Sequence, residues 1–408
     1  MKNKFFAVSV PILLLIFASF YFTSKFIEPS SKKEITIASG LIDGEYHKTA
    51  LKYKELLEKQ KVKVNIITSN GSIENIQLLK DKKVDLAFVQ NGIDELKNQH
   101  SLKAIASIYY EPLWIFYKNE NYTMDYIIQL ISKKISVGNE GSGTKDLALK
   151  ILNDNGIDNE NSQILNYSSQ ESKELLLKGE IDAMFIVTSA NSKIVKELLE
   201  NPDINLFSFK RAKAYSRKYS FLESIPLYEG TLDLYKNLPI QDVNLLTTTA
   251  NLIVRDDFSD ELTRLVLKEI KDIHNKKDLF EAQNQFPNVD NLTIEINEDA
   301  SRYFTYGDTW LEKIFPYWIA SNIDRLKILL IPLITLMIPL SKGFFPLYNW
   351  SIRSKIYKWY KELQAIDLQI DSFDKNKLKE KIKELEELKK EIEKETKVPL
   401  SYMREYYC

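Results

Sequence analysis

Cysteine is nearly missing from this chain: its 408 residues include one, Cys408. With a single thiol no intrachain disulfide can form and no cysteine-based metal site can be assembled. Histidine is scarce as well. His47, His100 and His274 are scattered, without the short spacings that metal ligation uses. Excess charge is missing too: 56 Lys+Arg against 57 Asp+Glu gives a formal -1, so no global field draws in nucleic acid or an acidic partner. There is no Walker sequence, because Lys145 follows Thr144 rather than sitting before a Ser/Thr, and there is no dinucleotide fingerprint. No nucleophile stands beside a base and no His–carboxylate motif occurs. The chain therefore reads as a non-enzyme, with no catalytic residue, no metal ligand and no cofactor.

What is present begins with length, which predicts two or more folded units. Two apolar runs frame the chain. Lys2 and Lys4 precede the run Phe5–Phe22, which reads as a signal anchor within 1–28, uncleaved for want of a small-x-small site. A second run, 326–348, contains Leu326 to Leu340, then Lys342 and an aromatic end. It predicts a transmembrane segment that Pro332 and Pro339 bend; the alternative is a buried or interfacial hairpin. Arg353, Lys355, Lys358 and Lys361 alternate with aromatics beyond it, suiting lipid headgroups on the cytoplasmic side. In 374–396 the spacing of Leu378, Ile382, Leu385, Leu388 and Ile392 predicts a charged helix with one apolar stripe, docked on a partner or simply solvated.

Between these runs the pattern is α/β. Strands are expected at Glu34–Ser39, Val62–Ile67, Val84–Val89, Leu102–Ser107 and Leu113–Tyr117, with a helix carrying Tyr46, Ala50, Tyr53 and Leu57 and another carrying Ile73, Ile76 and Leu79. The plan restarts at Ile135, with a strand at 164–167, and Asp85 and Asp182 each open a strand after a helix end and a charged turn. A largely parallel sheet follows from this alternation. Leu245–Val254 predicts a later strand, 259–274 a helix, and Asp308–Ala320 a helix near the membrane. The expected organisation is 34–110 as the first part of lobe 1, 111–222 as lobe 2, 223–300 as the return to lobe 1, 301–325 as a membrane-proximal helix, and 349–408 as a cytoplasmic tail.

Two Gly-rich turns carry the chemistry. Ser69-Asn70-Gly71-Ser72-Ile73-Glu74-Asn75 lies between a strand and a helix start, and so does Gly141-Ser142-Gly143-Thr144. Each aims unpaired backbone N–H groups past a strand end, a cradle for a polar or anionic small molecule. The plain alternative is an ordinary βα turn with a serine cap. Two such lobes imply a cleft between them.

These residues resemble the TAXI-type solute receptors of TRAP transporters, a branch of the type II periplasmic binding proteins. The family's Gly-x-Tyr-Tyr is similar to Gly44–His47, with His at the second aromatic. Its Thr-x-Gly-Ser-Val-Glu-Asn is similar to Ser69–Asn75, its Asp-Leu-Ala-x-x-Gln matches Asp85–Gln90, its Gly-Ser-Gly-Thr matches Gly141–Thr144, and its Pro-x-Tyr-x-Gly corresponds to Pro226–Gly230. The resemblance implies a two-lobed fold flanked by membrane helices. It implies a site in which Tyr46, Ser72, Asn75 and Gln90 line the first wall, Ser142 and Thr144 hold a ligand carboxylate from the second, and Tyr228 also contacts ligand. The implied ligand is a small organic acid, an amino acid or dicarboxylate. The implied partner is a TRAP permease or a membrane sensor, and the implied place is a bacterial inner membrane with the lobes facing the periplasm or outside. A tethered receptor cannot shuttle freely, so a ligand-free structural or signalling adaptor on the same fold is the rival.

Overall fold

The structure, a computed structural model, describes residues 34–315 apart from 98 and 120–122, the helix Lys375–Glu395, and isolated positions elsewhere. Two compact units are distinguished, Pro29–Asn322 and a second formed by Met1–Glu28 with Ile323–Cys408.

In the larger unit the chain runs β1 Glu34–Ala38, α1 Glu45–Lys59, β2 Lys63–Ile67, α2 Ser72–Lys80, β3 Leu86–Gln90, β4 Leu102–Lys118, β5 Lys134–Ser136, α3 Gly143–Asp154, β6 Gln163–Leu165, α4 Ser169–Lys178, β7 Ala183–Val187, α5 Lys193–Leu199, β8 Ile204–Leu206, α6 Ala212–Lys218, β9 Glu223–Leu227, β10 Val243–Arg255, α7 Asp260–His274, α8 Glu298–Tyr306 and α9 Trp310–Ile314. The ten strands form one sheet in the order β2-β1-β3-β10-β4-β7-β5-β6, with β8 on β4 and β9 on β10.

The expected parallel sheet is found only at the two ends, where β1 pairs with β2 and β3 and β5 pairs with β6 and β7. The middle is antiparallel: β10 joins β3, β4 and β9, and β4 joins β7 and β8. The reason is topological, since one strand leaves the first lobe and the other returns to it, so they run in opposite directions. The two strands expected around Pro112 are one, β4, and Pro112 falls where β4 gains β7 as a second neighbour. Ile225–Gly230, read as the crossing back, is the edge strand β9 and the turn after it; β10 makes the return.

Alternation fills both faces of this sheet, as helices on both sides require. Leu113, Ile115 and Tyr117 of β4 pack with Ile135, Leu147 and Phe185, while Trp114 and Phe116 pack on the opposite face with Leu176, Met184 and Val195. In the first lobe Leu252 and Val254 join Ile37, Tyr53 and Phe88, and Ile253 joins Ile76, Leu79 and Val89. At roughly 2 kcal/mol per fully buried large apolar side chain, these four clusters dominate the stability of the unit.

The helix expected over 308–320 is shorter among the described residues. Thr309 and Glu312 form a capping box at its start, and Phe315 is extended. In the smaller unit, Lys375–Glu395 is a helix of 21 residues, with Leu385, Leu388 and Ile392 half-buried and Leu378 and Ile382 exposed. The expected anchor at 1–28 and membrane segment at 326–348 lie outside the described residues, isolated positions aside. Among the described residues no helix is long and apolar enough to cross a membrane.

Candidate functional site

The first turn is held by its own side chains. Glu74 Oε2 accepts from the backbone and side-chain amides of Asn70, both at 2.8 Å. Ser69 Oγ donates to Asn75 Oδ1 at 2.6 Å, and the Asn75 amide donates to the Ser39 and Phe88 carbonyls. That amide ties β1, α2 and β3 together. Ser72 Oγ accepts from Gln90 N at 2.9 Å, at the last residue of β3. In the second turn Ser142 caps α3, its Oγ accepting from Lys145 N at 3.2 Å and donating to Asn139 O at 2.7 Å. Thr144 Oγ1 accepts from Val187 N at 3.2 Å, at the last residue of β7.

The two turns meet. Ile73 N, in the first turn of α2, donates to Gly141 O at 3.1 Å, and Asn139 Nδ2 donates to Asn70 O at 3.0 Å. Gly71 has φ +129°, and a Cβ there would lie 3.1 Å from Ser142 Cα, so only glycine lets the backbones approach this closely. Gln90 packs on Gly143, where an added Cβ would sit 2.6 Å from Gln90 Oε1. A second seam lies alongside. Lys150 of α3 donates to Gly92 O at 3.3 Å, pairs with Asp94 at 3.3 Å and lies over the Phe221 ring. The two turns are thus in direct contact, and the Ile73 amide at the start of α2 is taken by the Gly141 carbonyl.

Tyr46 leads to a residue that the sequence reading did not select. Its ring stacks on Phe88 with centroids 5.5 Å apart, and its hydroxyl donates to Glu111 Oε2 at 2.8 Å. Ser72 lies near the same phenol. Glu111 is 5% exposed, and burial pushes its carboxyl up to about 8, against the stabilising bond from Tyr46. Among the described residues the neighbouring Tyr109 hydroxyl is buried without a partner. The available signal was one acidic residue within the otherwise apolar run 104–117.

The expected residues thus divide. Tyr46, Ser72, Gln90, Ser142 and Thr144 gather at the seam between the lobes. Asn75 lies behind it, with both amide hydrogens and its oxygen committed inside the first lobe. Tyr228 is 61% exposed just past β9, its carbonyl accepting from Thr231 Oγ1. His47, the family departure, places Nδ1 3.1 Å from Ser39 Oγ. A separate polar cavity of about 430 Å³ is lined by Tyr110, Glu223, Thr249, Gln285, Asp290 and Asn291, among others.

The sequence profile of the NMT1-like family matches residues 48–305, well over half of the chain. The chain belongs to the NMT1-like family. The matched stretch contains both turns, Glu111, β10 and α7. This NMT1-like chain is also similar to many solved structures, three of which follow. One is the alkanesulfonate-binding protein SsuA from Xanthomonas axonopodis pv. citri bound to MOPS, at 13% identity over 60% of this chain and 74% of that one, TM-score 0.41. Another is PhnD1 from Prochlorococcus marinus in complex with methylphosphonate, at 14% identity over 62% and 87%, TM-score 0.40. A third is the amino acid ABC transporter substrate-binding protein AbpA from Streptococcus pneumoniae bound to L-arginine, at 17% identity over 59% and 89%, TM-score 0.38. No curated protein matches.

Proposed function

We propose that this NMT1-like chain is an extracytoplasmic solute-binding protein whose two lobes close on one small organic acid, and that a membrane anchor holds it beside a TRAP-type permease or a sensor. The observation that carries the reading is the direct contact of the two glycine turns, Ile73 N to Gly141 O at 3.1 Å. In an open form the amides at the start of α2 lose that partner and face the cleft, and a carboxylate is a natural replacement for a backbone carbonyl there. Hinge motion about β4 and β10, the strands that both lobes share, exchanges one partner for the other.

The purified full-length chain, heated with a panel of small organic acids, is expected to melt several degrees higher with the right one. An acid at about a hundred times its Kd adds roughly 2.7 kcal/mol. Gly143→Val, which wedges Gln90 away, is expected to erase the shift. A panel that moves the melting temperature nowhere sinks the proposal.

The adaptor reading is favoured by the same contact viewed differently, because Ile73 N and Gly141 O satisfy each other directly. It expects co-purification of a membrane partner that depends on residues 351–408 and is indifferent to Gly143→Val.

A further inference from the structure

We infer that Glu111 is the specificity-determining residue of this cleft: it receives the ammonium of a ligand whose carboxylate the helix starts take, so the occupant belongs to the amino-acid class rather than to the dicarboxylates. The inference rests on the solute-binding reading above and narrows it.

Position comes first. β4 pairs with β10 from Leu102 to Leu113 and gains β7 of the second lobe from Leu113 onward. Glu111 therefore stands where the sheet passes from one lobe to the other. From it the Tyr46 hydroxyl leads to the neighbourhood of Ser72, whose Oγ accepts from Gln90 N, and the Gln90 side chain packs against Gly143.

The partners come next. Tyr46 is the only hydrogen-bond donor to this carboxyl among the described residues, and no Lys, Arg or His there pairs with it. The titratable groups facing it are Glu45 and Tyr46 from α1 and Tyr109 on β4 itself. The residue opposite on β10 is the neutral Thr248. Its charged neighbour, Glu45, thus has its own sign. A carboxyl that is 95% buried and lacks a cation is costly to keep ionised, and packing alone gives no reason to retain it where Gln would fit. Among the described residues the Tyr109 hydroxyl, two positions along the same strand, is a buried polar group without an internal partner.

The electrostatic consequence is specific. With Tyr46 as its donor Glu111 is a neutral acid through most of the physiological range. An incoming ammonium stabilises the carboxylate, so Glu111 gives up its proton to solvent and the ion pair forms in a poorly screened environment. A second carboxylate arriving at the same point would meet an acid that must stay protonated.

Calorimetric titration of the purified full-length chain tests this. The probes are the standard L-amino acids, each beside the carboxylic acid that lacks only its amino group, at about pH 6 and about pH 8.5. At least one amino acid is expected to bind about tenfold or more tighter than its partner acid, with affinity rising toward the higher pH as proton release becomes easier. In Glu111→Gln that preference is expected to fall to near one. If the variant does not fold, the pH trend of the wild-type chain decides alone. A partner acid that binds as well as the amino acid, or affinity that falls as pH rises, overturns the inference. If such an acid binds wild type but not Gly143→Val, the solute-binding reading survives while this inference fails. If neither series binds wild type, both fail.

Discussion

Asp85 opens β3 in the first lobe and Asp182 opens β7 in the second, and they perform the same task. Asp85 accepts from Thr36 N at 2.9 Å and returns its own N–H to Thr36 O at 2.8 Å. Asp182 does the same with Lys134, at 2.7 and 2.9 Å. The supports differ. Asp85 faces the guanidinium of Arg255 at 3.2 Å, whose side chain is 9% exposed, whereas Asp182 faces Lys133 at 3.8 Å near the surface. The helix starts differ more. The last N–H of β3 is taken by Ser72 of α2, and the last N–H of β7 by Thr144 of α3. Yet α2 follows the second strand of its lobe and α3 follows the first of its own. Local chemistry repeats between the lobes, while the choice of helix start that reaches across is not part of the repeat.

Gly92→Val strikes the join between the lobes and is expected to have the largest effect. Gly92 has φ +86°, and a Cβ would lie 2.2 Å from the Phe221 ring. Strain and overpacking together predict a loss of roughly 4 kcal/mol in denaturant unfolding. A loss within about 1 kcal/mol would mean that the two lobes are not packed together at Gly92 in solution.

The titrating groups sharpen the asymmetry, because Glu111 and His274 both belong to the first lobe and its crossing strand. His274, donor or acceptor to the Tyr53 hydroxyl at 2.7 Å, is pushed by burial down to about 3. The unfolded chain then binds a proton that the native state refuses, so stability falls as pH drops below about 6.5. Glu111 acts with the opposite sign. Its native carboxyl keeps its proton up to about 8 while the unfolded one loses it near 4.5, so stability falls as pH rises between those values. Glu281, raised to about 7 by burial, adds to that fall. Above about pH 6.5 the histidine is silent, and Glu111 alone predicts a decline of about 1.4 kcal/mol per pH unit up to pH 8. Thermal unfolding across that range is expected to show the decline in wild type and a flatter profile in Glu111→Gln.

The two aspartates separate the lobes directly. Asp85→Ala takes from buried Arg255 one of its two carboxylate partners, Asp257 being the other, and from Thr36 N its acceptor, at about 3 kcal/mol. Asp182→Ala removes one accepting carboxylate near the surface, at about 1 kcal/mol. Equal losses in urea melts would contradict the difference in burial. The smallest effects are expected from the hydroxyls. Ser72→Ala and Thr144→Val each leave one strand-end N–H without its acceptor, and each is expected to cost about 1 kcal/mol. Hydrogen exchange is expected to speed at Gln90 in the first variant and at Val187 in the second, without crossover.

Much of this could be read from the chain, because it depends on neighbours in sequence. Gly71 and Gly141 mark turns, the apolar spacing marks helices, and the aspartate after a charged turn marks the two strands it opens. Asn75 shows where such reading stops. Its motif is indistinguishable on paper from a ligand contact, but its amide is consumed by the carbonyls of Ser39 and Phe88. Tyr228 sits in an equally recognisable motif and ends exposed. Glu111 lay unnoticed in an apolar strand, since nothing in its surroundings along the chain says that Tyr46, 65 residues earlier, will donate to it.

By itself the sequence determined the α/β alternation and the two glycine turns, because hydrophobic period, glycine and capping residues act over a few positions. Tertiary structure alone decided that β4 and β10 run antiparallel through the middle of the sheet, that the two turns bond to each other, and that the Glu111 carboxyl ends buried against Tyr46. Those outcomes follow from long-range pairing and desolvation, which depend on residues far apart in the chain and have no local signature.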